Sequence, residues 1–179
     1  MVAAPLVLDA SAALAVIRRE PAEESVRKAL KAQRLAGGEI VVPDHFWLEV
    51  VNALVRRHRY TAEQVVEEIR DLDELGIRSV EIDRAVLLYA LGLMDTGLTA
   101  YDAAYLAVAS ASRAQLFTLD EGLRAAADAT GVVTVPPAKR RHRLGEARAT
   151  YGHDAGPWRW AGFAGYLGEL RRRAEAGGG

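Results

Sequence analysis

The sequence predicts an α/β protein in which a central parallel sheet is covered by helices on both faces. Three observations carry this reading. Short apolar, β-branched runs with turn signals recur at 6–8, 40–42, 79–82, 116–119 and 132–135. Stretches with helical apolar spacing separate them, and the helix starts carry physical markers. Strands that alternate with helices in this way need crossover connections, which place helices over both faces of a parallel sheet.

In order, strand 6–8 runs through Asp9 or Ser11 into a helix near 12–19, and Pro21, at a first-turn position, opens a helix over 22–36. After strand 40–42, Asp44 behind Pro43 starts a helix over 45–58, and Thr61 with Gln64 forms a capping box for 62–75. Strand 79–82 leads to Asp83, which caps 84–95, and a further helix covers 100–113. Strand 116–119 ends at Asp120, and 132–135 closes the sheet. No internal repeat has a fixed period.

A chain of 179 residues, half hydrophobic and 26% charged, fits one globular domain of ordinary size plus an appendage. With no cysteine, disulfide frameworks, thiolate metal sites and cysteine nucleophiles are excluded. The weakly polar stretch 2–17 is interrupted by Asp9, is too short to span a bilayer and has no preceding positive charge, so a cytoplasmic protein without a membrane segment is expected. The net charge of −1 hides an asymmetry. Residues 1–135 hold 14 Lys and Arg against 20 Asp and Glu, whereas 136–179 hold 9 against 4. The break falls at Pro136-Pro137, before the run Lys139-Arg140-Arg141-His142-Arg143, and it divides the chain into a domain at 1–135 and a basic extension at 136–179 of unknown role.

Asp9 is the only ionisable side chain between Val2 and Ile17, at the carboxyl end of a strand expected to be central. In open parallel sheets that end faces the ligand crevice. Helix capping explains such an Asp equally well when it is taken alone. Asp120 repeats the arrangement after Leu116-Phe-Thr118-Leu. Two acids delivered to one sheet edge repel each other unless a cation joins them, which points to a metal. Asp102 opens a helix that carries no charge from 103 to 112 and is therefore expected to be buried nearly all round. Thr99-Ala-Tyr-Asp102 also fits a cap. Glu49 lies off the apolar stripe of Phe46, Val50 and Leu54, beside Asn52 and Arg56, and its helical phase reads as a surface position.

Competing constellations are absent. The chain has no Gly-x-Gly-x-x-Gly after its first strand, no Walker Gly-Lys and no Gly-x-Ser-x-Gly elbow. An aspartyl-phosphate phosphatase wants a second Asp two residues after the first, where this chain has Ser11. His45, His58, His142 and His153 lack zinc spacing and are read as scattered surface residues. Basic groups cluster at Arg56-Arg57-His58-Arg59, at 139–143 and at Arg171-Arg172-Arg173.

Together the acids and their flanks resemble the PIN-domain nucleases, specifically the VapC-type toxins of toxin-antitoxin pairs. The matching pieces are Leu-Val-Leu-Asp9-Ala-Ser11, Glu49 with Asn52 three residues on, Tyr101-Asp102-Ala103 with Ala107, and Thr118-Leu-Asp120, over residues 1 to about 135. The resemblance implies a three-layer α/β/α fold and a pocket in which Asp9, Glu49, Asp102 and Asp120 hold Mg²⁺ or Mn²⁺, supported by Ser11, Asn52 and Thr118. It further implies hydrolysis of RNA phosphodiester bonds, restraint by a cognate antitoxin, and a homodimer. Arg56, Arg140, Arg141 and Arg143 are the candidate contacts for RNA phosphates. The alternatives are a PIN-like scaffold that binds RNA or protein without cleavage, and a metal-dependent phosphatase acting on small phosphates.

Overall fold

The structure, a computed structural model, describes residues 3–135, and every structural statement here concerns those residues. Five parallel strands form one sheet in the order β3-β2-β1-β4-β5: β1 (Leu6–Leu8), β2 (Ile40–Pro43), β3 (Ile77–Val80), β4 (Gln115–Phe117) and β5 (Thr134–Val135). The strands β1, β2 and β4 are almost wholly buried. The chain steps outward from β1 through β2 to β3, then returns to the other side of β1 to lay down β4 and β5. The strand order therefore reverses between β1 and β4, which pair from Leu6↔Gln115 to Leu8↔Phe117. A crevice opens at the carboxyl ends of the strands at such a reversal.

The helices are α1 (Ala10–Ile17), α2 (Glu23–Leu35), α3 (Phe46–Asn52), α4 (Ala62–Asp73), α5 (Arg84–Leu93), α6 (Ala100–Ala111) and α7 (Glu121–Thr130). Their burial follows their sequences. In α6 every residue from Ala103 to Ala109 is buried, as its lack of charge predicts, whereas α4 buries only Val65 and Leu72. The Thr61–Gln64 capping box forms in both directions, and Asp83 caps α5 through the Val86 N–H at 2.8 Å.

Several boundaries differ from the sequence reading, each for a local reason. The strand expected at 79–82 lies at Ile77–Val80, because Ile77 pairs with Ile40 and the ladder ends at Pro43↔Val80. The strand expected at 116–119 stops at Phe117, where hydroxyls take the next N–H groups: Leu119 N–H donates to Ser11 Oγ at 3.0 Å and Asp120 N–H to Thr118 Oγ1 at 3.0 Å. Only Thr134–Val135 of 132–135 is strand, since Val132 N–H returns to the Ala127 carbonyl and Gly131, at φ +78°, turns the chain out of α7. Pro21 precedes α2, which begins at Glu23, and Asp44 does not cap α3, whose N-cap position is His45. The helix after β2 continues as a π-helical turn over Ala53–Arg57, closed by His58 N–H to Ala53 carbonyl at 3.2 Å. Among the described residues no helix is long and apolar enough to cross a membrane.

Candidate active site

Asp9 stands at the first residue beyond β1, with its N–H on the Phe117 carbonyl of β4 at 3.0 Å. It is 5% exposed. It occupies the N-cap position of α1, where its side chain makes no capping hydrogen bond of normal geometry, though the Ser11 backbone N–H lies near enough to lower its pKa. One oxygen, Oδ2, accepts both the Ser11 hydroxyl and the Thr118 hydroxyl, the latter at 2.8 Å. Ser11 and Thr118 thus tie β1, α1 and the end of β4 to a single carboxylate oxygen. Burial pushes the Asp9 carboxyl above its usual range, the two hydroxyls pull it partly back, and the Asp102 charge raises it again.

Glu49, on α3, is placed by α6. The Tyr105 hydroxyl donates to Glu49 Oε2 at 2.6 Å, and the Glu49 side chain is 32% exposed. Burial raises its pKa, the Tyr105 bond lowers it, and the charges of Asp9 and Asp102 raise it again. The electrostatics place Glu49 with the two aspartates, where helical phase alone puts it on the surface. Tyr105 is itself fully buried, and burial together with Glu49 drives its phenol far above the usual value, so it stays a donor across the physiological range. Its hydroxyl is the one polar atom that α6 carries into the core beside Glu49, and a buried Tyr needs such a partner. Tyr105→Phe should therefore cost about 1 kcal/mol of stability, the usual net value of one hydrogen bond, as measured by urea unfolding. An unchanged midpoint would show that the bond carries no stability.

His45 corrects the expectation of a surface histidine. Its side chain is only 12% exposed, with Nε2 3.5 Å from Glu49 Oε2, and its ring packs against Tyr101 at 5.3 Å and Tyr105 at 4.9 Å between centroids. Burial lowers its pKa, opposed by the Tyr101 carbonyl and the charges of Asp102 and Asp44. Nε2 is buried without a hydrogen-bond partner. The signal for it was in the sequence, since His45 precedes Glu49 by one helical repeat of four and shares its face.

The remaining candidates separate. Asp102 is half-buried in the first turn of α6. Thr99 Oγ1 caps that helix by accepting Asp102 N–H at 3.2 Å and donates to Asp102 Oδ2 at 2.6 Å. Asp120 caps α7, its Oδ1 accepting Leu123 N–H at 2.7 Å, and it is exposed. The charge of Asp102 raises the pKa of Asp9, and the charges of Asp9 and Asp102 raise that of Glu49, which groups these three carboxylates and leaves Asp120 apart. Asn52 and Arg56 are exposed and make no side-chain hydrogen bond or ion pair among the described residues. Arg140, Arg141 and Arg143 lie outside the described residues.

Among the described residues, no three His, Asp or Glu side chains are arranged to hold an ion as they stand. The donor set nevertheless suits a hard divalent cation. It is built of carboxylates, and no Lys or Arg pairs with Asp9, Glu49, Asp102 or Asp120 among the described residues. The side-chain hydrogen bonds given above engage Oδ2 of Asp9, Oε2 of Glu49, Oδ2 of Asp102 and Oδ1 of Asp120, one oxygen of each carboxylate.

Comparison with known proteins agrees with this architecture. The structure is similar to PAE2754 from Pyrobaculum aerophilum, with 25% identity, 73% of this chain and 83% of that one covered, and a TM-score of 0.53. It shares its fold with VapC20 from Mycobacterium tuberculosis, a sarcin-ricin loop cleaving toxin, at 15% identity, 72% and 96% coverage and a TM-score of 0.57. The same holds for VapBC2 from Rickettsia felis, solved with a DNA fragment from their promoter, at 14% identity, 73% and 96% coverage and a TM-score of 0.57. No curated protein gives a significant match. The PIN domain family model matches residues 6–129, well over half of the sequence, and the chain belongs to the PIN-domain family.

Proposed function

We propose that the protein is a divalent-metal-dependent endoribonuclease, the toxin of a toxin-antitoxin pair. The observation that carries this reading is Asp9: a buried carboxylate at the strand-order reversal, facing the charges of Glu49 and Asp102, with no Lys or Arg among the described residues to neutralise it. An unneutralised buried charge is costly. Mg²⁺ or Mn²⁺ held by Asp9, Glu49, Asp102 and Asp120 would remove that cost and supply Lewis-acid stabilisation of phosphate charge together with a water of lowered pKa. The chain's own residues prepare the site. Ser11 and Thr118 fix the rotamer of Asp9, Tyr105 holds Glu49, and Thr99 holds Asp102. Membership of the PIN family and the likeness to an RNA-cleaving toxin support RNA as substrate. The sequence resemblance to VapC-type toxins implies an antitoxin partner and a homodimer, and the likeness of fold to the toxin VapC20 supports the first.

A second reading, a PIN scaffold that binds without cutting, is favoured by the carboxylates' existing hydrogen bonds and the lack of a preformed ion cage among the described residues. Incubation of the purified protein with single-stranded RNA, single-stranded DNA and p-nitrophenyl phosphate, with Mg²⁺, Mn²⁺ or EDTA, separates the readings. The expected result is cleavage of RNA alone, dependent on metal, leaving 5′-phosphate ends. Binding without cleavage supports the scaffold, and phosphomonoester turnover supports a phosphatase.

The acidic body calls for positive charge to hold a polyanion, and we assign that role to Arg56 and to the basic run at 139–143. Each phosphate contact on a single strand steepens the log–log salt dependence of binding by about 0.7. Charge reversal at Arg140, Arg141 and Arg143 should therefore flatten the slope by up to about 2 and weaken RNA binding, with metal affinity unchanged. Wild-type affinity and slope in that variant would reassign the contacts.

A further inference from the structure

Three rings lead from the carboxylates to solvent. Tyr105, fully buried, donates to Glu49; His45 packs edge-on against Tyr105, with interplanar angle 71°; and Tyr101 lies against the outer side of His45 at 47°. Tyr101 ends the series with 59% of its surface exposed. It precedes Asp102 directly, on the first turn of α6. A large exposed ring on an otherwise buried helix, backed by a second ring that limits its rotation, is preorganised for a flat ligand, because little side-chain freedom remains to be lost on contact.

We propose that Tyr101 is the platform on which a nucleobase of the substrate stacks while the adjoining phosphate is held at the carboxylates through the divalent cation they would bind. The inference rests on the endoribonuclease reading and names how that site grips its strand. A base hangs from the same sugar as its phosphate, so a strand whose phosphate reaches Asp102 has a base to place within reach of the neighbouring side chain. Deeper in the cleft Tyr105 is committed to Glu49, which leaves Tyr101 as the exposed ring of the series. Stacking uses the π face common to all four bases, so the contact adds affinity without dictating sequence. His45 supports the platform from behind, and its role is positioning.

The test measures binding of a short single-stranded RNA oligonucleotide to the full chain with Ca²⁺ in place of Mg²⁺ or Mn²⁺, by fluorescence anisotropy, for wild type, Tyr101→Phe and Tyr101→Ala. A parallel set of oligonucleotides lacks one base at each position in turn. Tyr101→Phe should match wild type, because the ring and not the hydroxyl is used. Tyr101→Ala should bind about tenfold more weakly, within the range for loss of one base–aromatic stack. At one position, removal of the base should weaken wild-type binding by the same factor and leave Tyr101→Ala indifferent. Equal binding by Tyr101→Ala and wild type overturns the proposal. So do penalties that simply add, since they place Tyr101 and the missing base in separate interactions. If wild type binds no RNA but still cleaves another substrate, the endoribonuclease reading falls and takes the platform with it. RNA cleavage with normal binding by Tyr101→Ala overturns the platform alone.

Discussion

Asp9→Asn should lower metal-dependent RNA cleavage by about 10²–10³-fold, the scale of losing one preorganised group that stabilises a transition state, while making the metal-free protein more stable at neutral pH. The two effects have one origin. Burial holds the folded-state pKa of Asp9 above its usual 3.8, so the folded protein takes up a proton more readily than the unfolded chain does. A raised carboxyl contributes stability that is fully present below the unfolded pKa and is lost as pH rises through the folded pKa. Above that window Asp9 is a buried charge beside Glu49 and Asp102, and the neutral amide relieves it. The substituted asparagine keeps an oxygen that can accept from Ser11 and Thr118, so the junction between β1 and β4 survives the exchange.

Melting curves of wild type and Asp9→Asn in EDTA, taken from pH 7 down to pH 4, check the sign. The advantage of the variant should be largest at pH 7 and fade as the wild-type carboxyl protonates. His45 works in the opposite direction, because its lowered pKa makes acid unfavourable to the folded state, but it is common to both proteins and cancels in the difference. Mn²⁺ should reverse the ranking. At about 100 times its Kd a ligand adds about 2.7 kcal/mol to the protein that binds it, and only wild type retains the full donor set. A variant that melts lower than wild type at every pH, with or without metal, would make Asp9 a structural hub for two hydroxyls and nothing more.

How much of this was legible beforehand depended on the kind of signal. The sheet, its parallel sense and its helices could be read because apolar runs and helical spacing are local properties of the chain. The capping box at Thr61 and Gln64 is local in the same sense and formed as expected. Strand ends were not legible where a partner outside the segment decided them. Ser11 terminates the β4 ladder from 108 residues away by accepting Leu119 N–H. The sequence also made Asp9 and Asp120 look alike, yet one avoids capping and the other caps α7. The difference is set by Thr118, whose hydroxyl donates to the Asp9 carboxylate and accepts the Asp120 N–H. His45 was missed because its one sequence signal, the spacing of four to Glu49, carries weight only if Glu49 is itself taken as buried, and helical phase put Glu49 on the surface. The contacts that bury it, with Tyr101 and Tyr105 of α6, are long-range and leave no local mark.

Glu49→Gln is expected to weaken Mn²⁺ binding by at least about tenfold, the lower end of what even an outer-shell partner contributes to metal affinity. Helical phase gives the opposite expectation, and it describes one face of α3 correctly, since Phe46, Val50 and Leu54 are fully buried. Phase is incomplete for Glu49 because α3 has a second neighbour: α6 brings Tyr105 against the side the stripe leaves open, and Glu49 is gripped there with only 32% of its side chain exposed. The substituted glutamine preserves length and an oxygen for the Tyr105 hydroxyl, so packing is kept and only the charge is removed. Calorimetric titration with Mn²⁺ then reads the charge directly. Because burial and the charges of Asp9 and Asp102 raise the Glu49 pKa, the variant should also melt higher than wild type in EDTA near neutral pH. Tyr105→Phe serves as the comparison, since it removes the hydroxyl but leaves the charge: unlike Glu49→Gln it should lower stability in EDTA, and it should weaken metal binding by about tenfold, the lower end of the outer-shell range. If Glu49→Gln binds Mn²⁺ as tightly as wild type, Glu49 is a side chain that Tyr105 holds for structure, and any metal must rest on Asp9, Asp102 and Asp120 alone.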